Sequence, residues 1–313
     1  MNELRGGLIG CGFFARNHLH AWADIKGATL AAVCDPDLTR AESFAAAAGV
    51  PSVFVDPVEM LRAGNLDFVD IVTPPATHRA LVEVAASHRT HVICQKPMAP
   101  ALEDARAMVE ACRAAGVRFM VHENFRWQTP IRAIRDAAPD LGRLFFGRIY
   151  WRTAFDVYRD QPYLAEDSRF ILADLGVHLL DLARFLFGEV ESVYCQTLRI
   201  NPRIRGEDVA TVMLRMASGA TCMVELSYAS RVEHDPFPQT LIQLEGSLGT
   251  ATLDRGFELT VVTEHGTAKR SVAPGPLAWS SPMMLHIQES VVRIQGCSSQ
   301  RGQSWGDVIR FWC

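Results

Sequence analysis

The sequence predicts an α/β protein: a doubly wound parallel sheet followed by an α+β domain with an open, mainly antiparallel sheet. Residues 1–123 alternate short apolar runs with helix-like segments, as expected when both faces of a parallel sheet are covered. From residue 124 onward, longer runs alternate apolar and polar residues and are separated by Ser-Gly and Gly-Ser turn signals, a pattern typical of hairpins. We therefore expect two domains, residues 1–123 and 124–313.

The elements of the first domain follow in a regular order. The run GGLIG predicts the first strand, and the next apolar runs predict strands at TLAAVCD, SVFV, DFVDIVT, HVIC and VRFMVH. Helices are predicted near residues 15–24, 38–48, 57–63, 76–87 and 102–115. A helical segment between successive strands favours parallel pairing.

The second domain mixes helices with longer strands. Helices are predicted near residues 130–138 and over ILADLGVHLLDLARFLFG, residues 171–188. The strand-like runs are GRLFFGRIYWRTAFDV, ESVYCQTLRI, DVATVMLRMASGATCMVELSYAS, TLIQLEG, TATLDR and FELTVVTE.

Composition excludes several classes of partner. The net charge of −4 gives no electrostatic reason to expect nucleic acid or an anionic membrane as a partner. No run of about 18 uncharged apolar residues occurs, and the start of the chain lacks a signal-peptide pattern. The eight cysteines form no CxxC pair, and several lie in apolar runs, as in a reducing compartment. We expect a cytoplasmic protein.

The turn after the first strand has the spacing of a dinucleotide-binding turn. In GLIGCGFFA, Gly10, Gly12 and Ala15 fit the GxGxxG/A pattern, with Phe13 and Phe14 between them. The first glycine permits the tight turn, the second admits a pyrophosphate, and the small third residue lets helix and strand pack closely. The helix N-terminus offers N–H groups to the phosphates. We assign the glycines and both phenylalanines to cofactor binding.

Asp35 ends the second strand, about 20 residues beyond this turn, where an acid accepts hydrogen bonds from the adenosine ribose. A carboxylate repels a 2′-phosphate, and Pro36 and Asp37 follow rather than an arginine, so NAD is favoured over NADP. The structural alternative is a glycine turn followed by a helix-capping aspartate.

Lys96 follows the apolar run HVIC, at the carboxyl end of the fifth strand, where open α/β sheets bind their ligands. Burial of a lysine is costly unless it is paired or lies at a site. The alternative is a solvated surface lysine.

Asp174 and His178 lie four residues apart on the predicted helix, so they share one face, and Asp181 continues that face. A carboxylate beside an imidazole suits proton transfer. The alternative is an aspartate at a helix start and a hydrogen-bonded histidine. An apolar stripe is formed by Leu175, Leu179, Leu182 and Leu186.

No metal site is predicted. His18 and His20 flank the first helix and are interpreted as capping or packing residues, and Cys195 and Cys222 lack ligand spacing.

The order of the motifs GCGFFA, VCDPD, VTPPATH, HVICQKP, VHENFRW and ADLGVHLLDLARFLFG resembles the Gfo/Idh/MocA oxidoreductases, a family of sugar and polyol dehydrogenases. The resemblance spans roughly residues 5–265 and implies a Rossmann domain followed by an α+β domain. It implies NAD-dependent oxidation of a sugar or polyol hydroxyl by hydride transfer. The HENFRW and QKP variants, together with the segments YWRTAFDVY and PYLAE, also resemble the apiose dehydrogenase-like branch.

The resemblance implies roles for matching residues of the first domain. Lys96 would be the catalytic lysine, touching the nicotinamide ribose and the reacting hydroxyl, with a cis bond to Pro97. Residues beside the nicotinamide would be Thr73, Pro74, His78 and Gln95.

The resemblance also assigns residues of the second domain. His178 would be the base and Asp174 its partner. Asn124 and Arg126 would reach toward the substrate, and Asp156 would contact it. Further candidates for lining the sugar pocket are Tyr150, Trp151 and Tyr158.

The sequence departs from the family pattern twice. Gln95 stands where the family has glutamate, which removes a negative charge beside Lys96. After about residue 294 the likeness fades, and we expect a truncated or frameshifted tail.

Three further points stay open in the sequence. A non-catalytic NAD-binding sensor and an internally recycling or glycoside-processing oxidoreductase are alternatives to the dehydrogenase. The resemblance implies a homodimer or homotetramer formed through the open face of the second sheet.

Overall fold

The structure is a computed structural model that describes residues 3–63, 65–159, 161–274 and 291. The described residues divide into two compact units, one of residues 3–123 with Val291 and one of residues 124–274, so Val291 belongs to the first unit and not to the predicted domain 124–313. The predicted atypical tail after residue 294 lies outside the described residues.

The first unit is built on a parallel sheet. Its strands in the described residues are β1 (Leu4–Ile9), β2 (Ala28–Cys34), β3 (Ser52–Phe54), β4 (Phe68–Ile71), β5 (His91–Gln95) and β6 (Phe119–His122). They lie in the order β3-β2-β1-β4-β5-β6, and each neighbouring pair is parallel. The strand order reverses direction at β1 and β4, the point where open α/β sheets bind ligands. The predicted parallel sheet is confirmed.

The helices that connect these strands in the described residues are α1 (Ala15–Ala23), α2 (Leu38–Ala48), α3 (Pro57–Ala63), α4 (His78–Ser87) and α5 (Leu102–Ala115). A 3₁₀ turn at Pro75–Thr77 precedes α4, so the α-helix begins two residues later than residue 76, where the sequence predicted it. Pro75 stands at the start of the 3₁₀ turn, where the fixed φ of proline suits a first helical turn.

Both faces of this sheet are covered. Alternate strand residues enter opposite apolar clusters: Leu8 and Val33 lie in one, and Ile9 and Ala32 in the other. This is the two-residue period of a strand, and it explains why the strands are nearly continuous apolar runs. Val291 is buried in the first of these clusters.

The second unit is built on a larger, mixed sheet. Its strands in the described residues are β7 (Leu144–Arg152), β8 (Val190–Leu198), β9 (Val209–Met216), β10 (Thr221–Ser227), β11 (Leu241–Gly246), β12 (Gly249–Asp254), β13 (Glu258–Thr263) and β14 (Gly266–Ser271). They lie in the order β14-β13-β12-β11-β7-β10-β9-β8. The β7–β10 pair is parallel and the other pairs are antiparallel, so the predicted mainly antiparallel sheet is confirmed.

Among the described residues, helices cover one face of the second sheet, and no helix covers the other, which we call the open face. Helix α6 (Thr129–Ala137) contacts β12 and β13, and α7 (Val177–Phe187) contacts β7 and β10. On β7, Ile149 and Trp151 enter the apolar core, whereas Arg148 and Tyr150 point to the open face.

Two elements of the second unit differ from the prediction. The helix predicted over residues 171–188 is interrupted, because Leu172–Gly176 form a π-helical turn ahead of α7. Strand β7 ends at Arg152 rather than near Val157. There the Asp235 carboxylate accepts hydrogen bonds from the Thr153 hydroxyl (2.7 Å) and the Ala154 N–H (2.9 Å), next to the point where the chain leaves the sheet.

Within the described residues, no helix is both long enough and apolar enough to cross a bilayer.

Candidate active site

The turn between β1 and α1 has a backbone that only glycine fits. Gly10 has a φ of +97°, and a Cβ there would lie 2.6 Å from the Val72 carbonyl oxygen. A Cβ on Gly12 would meet no atom of the described residues within 4 Å, so packing among those residues does not require this glycine. The first turn of α1 begins at Ala15 without a side-chain cap at Phe14. Open space at Gly12 and uncapped N–H groups fit a bound pyrophosphate.

The two aromatic residues of the turn are accessible. Phe13 is 69% exposed and Phe14 is 38% exposed, whereas Ala15 is fully buried against the sheet. The turn therefore presents an apolar surface beside the open space at Gly12.

Asp35 is buried after β2 and binds the glycine turn. Its Oδ2 accepts the Cys11 N–H at 2.9 Å, and its Oδ1 accepts the Asp37 N–H at 3.0 Å. The Arg40 guanidinium donates to Oδ1 at 3.2 Å. Sequence reasoning considered only the residues immediately after Asp35, and it missed Arg40, which reaches back from the first turn of α2. These contacts fix the carboxylate at the predicted ribose site.

Lys96 follows β5 at the carboxyl edge of the sheet, and its bond to Pro97 is cis, as expected. The Gln95 side chain accepts the Lys96 backbone N–H at 2.7 Å and its amide nitrogen lies 2.9 Å from His18 Nε2. Gln95 is 6% exposed. The Gln95 amide therefore links the Lys96 backbone to His18 in the domain interior, and its contact with the cofactor stays a prediction.

His78 is a buried residue with two backbone partners. Its ring is fully buried, with Nε2 2.9 Å from the Thr73 carbonyl oxygen and Nδ1 3.1 Å from the Met98 carbonyl oxygen. Burial lowers the pKa of the imidazole, and backbone hydrogen bonds offset part of that lowering. His78 thus joins the segment after β4 to the segment after β5, and its place beside the nicotinamide stays a prediction.

Thr73 and Pro74 lie at the accessible edge where the parallel strands end. The Thr73 hydroxyl accepts a hydrogen bond from the Thr77 hydroxyl at 2.7 Å, and Pro74 is exposed. The first domain therefore brings Gly12, Asp35, Thr73 and Lys96 to the carboxyl ends of its strands, as the sequence predicted.

In the second domain, Asp174 and His178 lie on either side of the change from π-helix to α-helix. Asp174 belongs to the π-helical turn, and His178 to the first turn of α7. A π-helical turn holds an extra residue, so the same-face argument for a regular helix does not transfer directly. Such turns are frequent at functional sites. Burial raises the pKa of Tyr228, and the nearby Asp174 carboxylate raises it further.

A short segment contacts two successive turns of α7. The 3₁₀ turn Phe125–Trp127 follows Asn124, and the Phe125 ring stacks on His178 with centroids 3.9 Å apart and planes 4° apart. Next to it, Arg126 makes a two-pronged salt bridge to Asp181, with Nε 2.7 Å from Oδ2. Arg126 was predicted to reach toward the substrate; its guanidinium binds Asp181, and the substrate contact stays a prediction. Asn124 is buried at the start of this segment.

The remaining pocket candidates separate onto different surfaces. Tyr150 lies under the Arg148 guanidinium on the open face of the sheet. Trp151 lies on the covered face, with its ring 5.9 Å from Phe125. Neighbouring strand residues point to opposite faces, so Tyr150 and Trp151 cannot line one pocket, which corrects that expectation. Asp156 is exposed, and Tyr158 packs against the Phe170 ring at 5.3 Å.

Sequence reasoning missed the interaction of His18 and Trp22 with Asp70. Both donors lie 2.8 Å from Asp70 Oδ2, and His18 and Asp70 are fully buried. His18 lies inside α1 and is a hydrogen-bonded core residue, not a flanking cap. Two signals were available: an aspartate within an apolar strand, which needs buried partners, and a His and a Trp four residues apart.

Within the described ranges, no three His, Cys, Asp or Glu side chains converge as a metal-binding group. The prediction of no metal stays a prediction.

Two protein-family models match this chain, one in each of the two units. Residues 4–123 match the model of an oxidoreductase family with an NAD-binding Rossmann fold, and residues 132–252 match the Gfo/Idh/MocA C-terminal domain. The chain belongs to the Gfo/Idh/MocA oxidoreductase family. The Gfo/Idh/MocA motifs identified in the sequence thus predicted the family correctly, and the chain is an NAD-dependent oxidoreductase.

Two similar members of the Gfo/Idh/MocA family are named D-apiose dehydrogenase. The protein from Rhizobium rhizogenes is 47% identical over 310 residues, which cover 98% of this chain and 90% of the relative. The protein from Paraburkholderia graminis is 51% identical over 299 residues, which cover 94% of this chain and 79% of the relative. Both agree with the resemblance to the apiose dehydrogenase-like branch.

A solved structure has the same fold. An oxidoreductase from Agrobacterium radiobacter, in complex with NAD+, L-tartaric acid and magnesium, is 43% identical to this chain with a TM-score of 0.93. The match covers 99% of this chain and 93% of that protein.

Proposed function

We propose that this chain oxidises a hydroxyl of D-apiose, or of a closely related sugar, with NAD as the hydride acceptor. The observation that carries the proposal is the position of Lys96. It follows β5 at the same sheet edge as the glycine turn, Asp35 and Thr73, where the open space at Gly12 fits a dinucleotide. The identity to two D-apiose dehydrogenases supports the choice of sugar.

We propose distinct roles for the polar side chains. Lys96 donates a hydrogen bond to the oxygen of the reacting hydroxyl, and His178 accepts its proton. Asp174 stabilises the imidazolium that results. Phe125 stacks on His178 and fixes the plane of the ring. Bound NAD supplies the electron sink for the hydride, and the side chains supply orientation and proton transfer.

The direct test is a substrate panel followed by NADH absorbance, with NAD and NADP side by side. We expect turnover with D-apiose and NAD, little turnover with inositols, and weaker activity with NADP because Asp35 opposes a 2′-phosphate. NAD binding without turnover of any sugar would favour the non-catalytic sensor. Bound cofactor that turns over without net NADH would favour internal recycling.

We also propose that the open face of the second sheet binds a second copy of the chain, giving a homodimer or homotetramer. Tyr194 (62% exposed), Leu198 (51%) and Met213 (46%) share this face. Exposed contiguous apolar surface of this kind is typical of protein interfaces. The cytoplasm remains the proposed location, because the proposed reaction consumes NAD.

A further inference from the structure

A chain of buried hydrogen bonds starts at the Lys96 backbone and ends at Asp70. The Lys96 N–H donates to Gln95 Oε1 at 2.7 Å, and Gln95 Nε2 lies 2.9 Å from His18 Nε2. His18 Nδ1 lies 2.8 Å from Asp70 Oδ2. His18 and Asp70 are fully buried, and Gln95 is 6% exposed. These contacts link β5, α1 and β4, all within the first domain.

The chemistry of these groups fixes every proton in the chain. A backbone N–H can only donate, so the Gln95 atom that faces Lys96 is the amide oxygen. The Gln95 amide nitrogen therefore faces His18, and it too can only donate. His18 Nε2 must then carry a lone pair, which places the single ring proton on Nδ1, facing Asp70. His18 is thus a neutral imidazole of defined tautomer.

Other groups around His18 complete its surroundings. Trp22 Nε1 donates to the same Asp70 oxygen at 2.8 Å, so that carboxylate accepts two buried hydrogen bonds. The His122 ring lies 4.7 Å from the His18 ring, and the Phe14 ring 5.8 Å from it. The Asp70 carboxylate is the charged group in direct contact with His18, and His122 is the titratable neighbour.

We propose that Gln95, His18 and Asp70 are positioning residues that hold Lys96, an inference that rests on the proposed function. Gln95 fixes the main chain of Lys96, and His18 and Asp70 fix the orientation of the Gln95 amide. His78 secures the following residues by its contact with the Met98 carbonyl oxygen. Because His18 lies on the helix that follows the glycine turn, the same contacts join the cofactor-binding helix to the lysine.

This arrangement explains glutamine at the position where the family has glutamate. A carboxylate at position 95 could still accept the Lys96 N–H, but it could not donate to His18 Nε2. The His18 imidazole would then have to carry a proton on both ring nitrogens, so that it could donate to the carboxylates of residue 95 and Asp70. Gln95→Glu should therefore add a proton to His18 while it keeps the Lys96 contact, whereas Gln95→Leu should lose both contacts.

The test combines NMR and kinetics on the full chain. Long-range ¹H–¹⁵N spectra of ¹⁵N-histidine-labelled protein at neutral pH, with His18→Asn for assignment, should show His18 protonated at Nδ1 alone. Gln95→Glu should convert it to the doubly protonated form. A wild-type His18 protonated at Nε2, or an unchanged neutral ring in Gln95→Glu, would overturn the proposal. This readout needs no turnover, so it stands apart from a failure of the proposed function.

Kinetic measurements distinguish a positioning role of Gln95 from a role in stability alone. Gln95→Leu should lower kcat up to about 100-fold with little change in NAD affinity, as expected when a reacting group is displaced by about 1 Å. Gln95→Glu should retain more of kcat than Gln95→Leu, because it keeps the acceptor for Lys96. The control is Gln243→Leu in the second domain, which should leave kcat unchanged. A Gln95→Leu variant with a lower melting temperature but wild-type kcat would contradict a positioning role.

Discussion

Arg126 and Asp181 show how two residues support the proposed base, His178, through the segment that packs on it. Their salt bridge joins the segment that carries Phe125 to the helix that carries His178. Sequence reasoning placed Asp181 on the face of His178 and Arg126 near the substrate. It could not pair Arg126 with Asp181, because the two residues lie 55 positions apart and belong to different sequence motifs. The residue types were therefore predictable, but their contact was not.

Removal of the Arg126 charge should destabilise the protein. Arg126→Met leaves the Asp181 carboxylate, 3% exposed, without its guanidinium partner. Loss of one partner of a buried ion pair costs roughly 3 kcal/mol of unfolding free energy. Urea denaturation measures the loss, and the rate of D-apiose oxidation should fall with it because Phe125 is no longer anchored.

The matched control for Arg126→Met is Arg113→Met. Arg113 makes a salt bridge to Glu110 on the exposed surface of α5. Exposed pairs of this kind contribute little, so its unfolding free energy should stay close to that of the wild type. Equal stability of the two variants would contradict the buried role of the Arg126–Asp181 pair.

At the scale of elements, local signals predicted most of the first domain. Helices α2, α3 and α5 have the predicted bounds, because capping residues and apolar periodicity are both local. The π-helical turn at Leu172–Gly176 was not predicted, since hydrophobic periodicity does not distinguish one extra residue in a turn. The hydrogen bonds of His78 were also not predicted, because its carbonyl partners lie in two separate loops.

The two glycines of the β1–α1 turn should respond differently to substitution by alanine. Gly12→Ala adds a methyl group where no atom of the described part of the chain lies within 4 Å, so the stability of the cofactor-free protein should be unchanged. The methyl group would occupy the space assigned to the pyrophosphate, so NAD affinity should fall at least about tenfold. Thermal unfolding and calorimetric titration with NAD measure the two effects.

Gly10→Ala is the comparison for Gly12→Ala. Its positive φ and its contact with the Val72 carbonyl oxygen should lower the unfolding free energy of the cofactor-free protein by at least about 1 kcal/mol. If Gly12→Ala bound NAD as tightly as the wild type, the assignment of the pyrophosphate to this turn would be wrong.

For the whole molecule, the sequence predicted the two sheets and the family, but not which surface of the second sheet each strand residue faces. Tyr150 and Trp151 illustrate the limit: only the position of β7 in the sheet assigns one to the open face and the other to the core. Strand β8 at the sheet edge is largely exposed, although it contains Val193, Tyr194 and Leu198. A surface of this composition is expected to be covered in an assembly.

A charge on the open face should dissociate the proposed assembly. Tyr194→Glu places a carboxylate beside Met213, where it would be buried and unpaired against a second copy. Sedimentation at micromolar concentration should show a dimer or tetramer for the wild type and a smaller species for the variant. Leu102→Glu, on an exposed residue of the first domain, is the control and should not change the mass. A monomeric wild type would contradict the proposal.

The central claim is that Lys96 binds the reacting hydroxyl at the cofactor edge of the first sheet. The most direct measurement compares Lys96→Ala with the wild type in two readouts, the kcat/KM for D-apiose with NAD and the Kd of NAD alone. The account predicts that kcat/KM falls about 100- to 1,000-fold, as when one donor to a reacting oxygen is lost, while the Kd of NAD changes little. Near wild-type turnover in Lys96→Ala would contradict it.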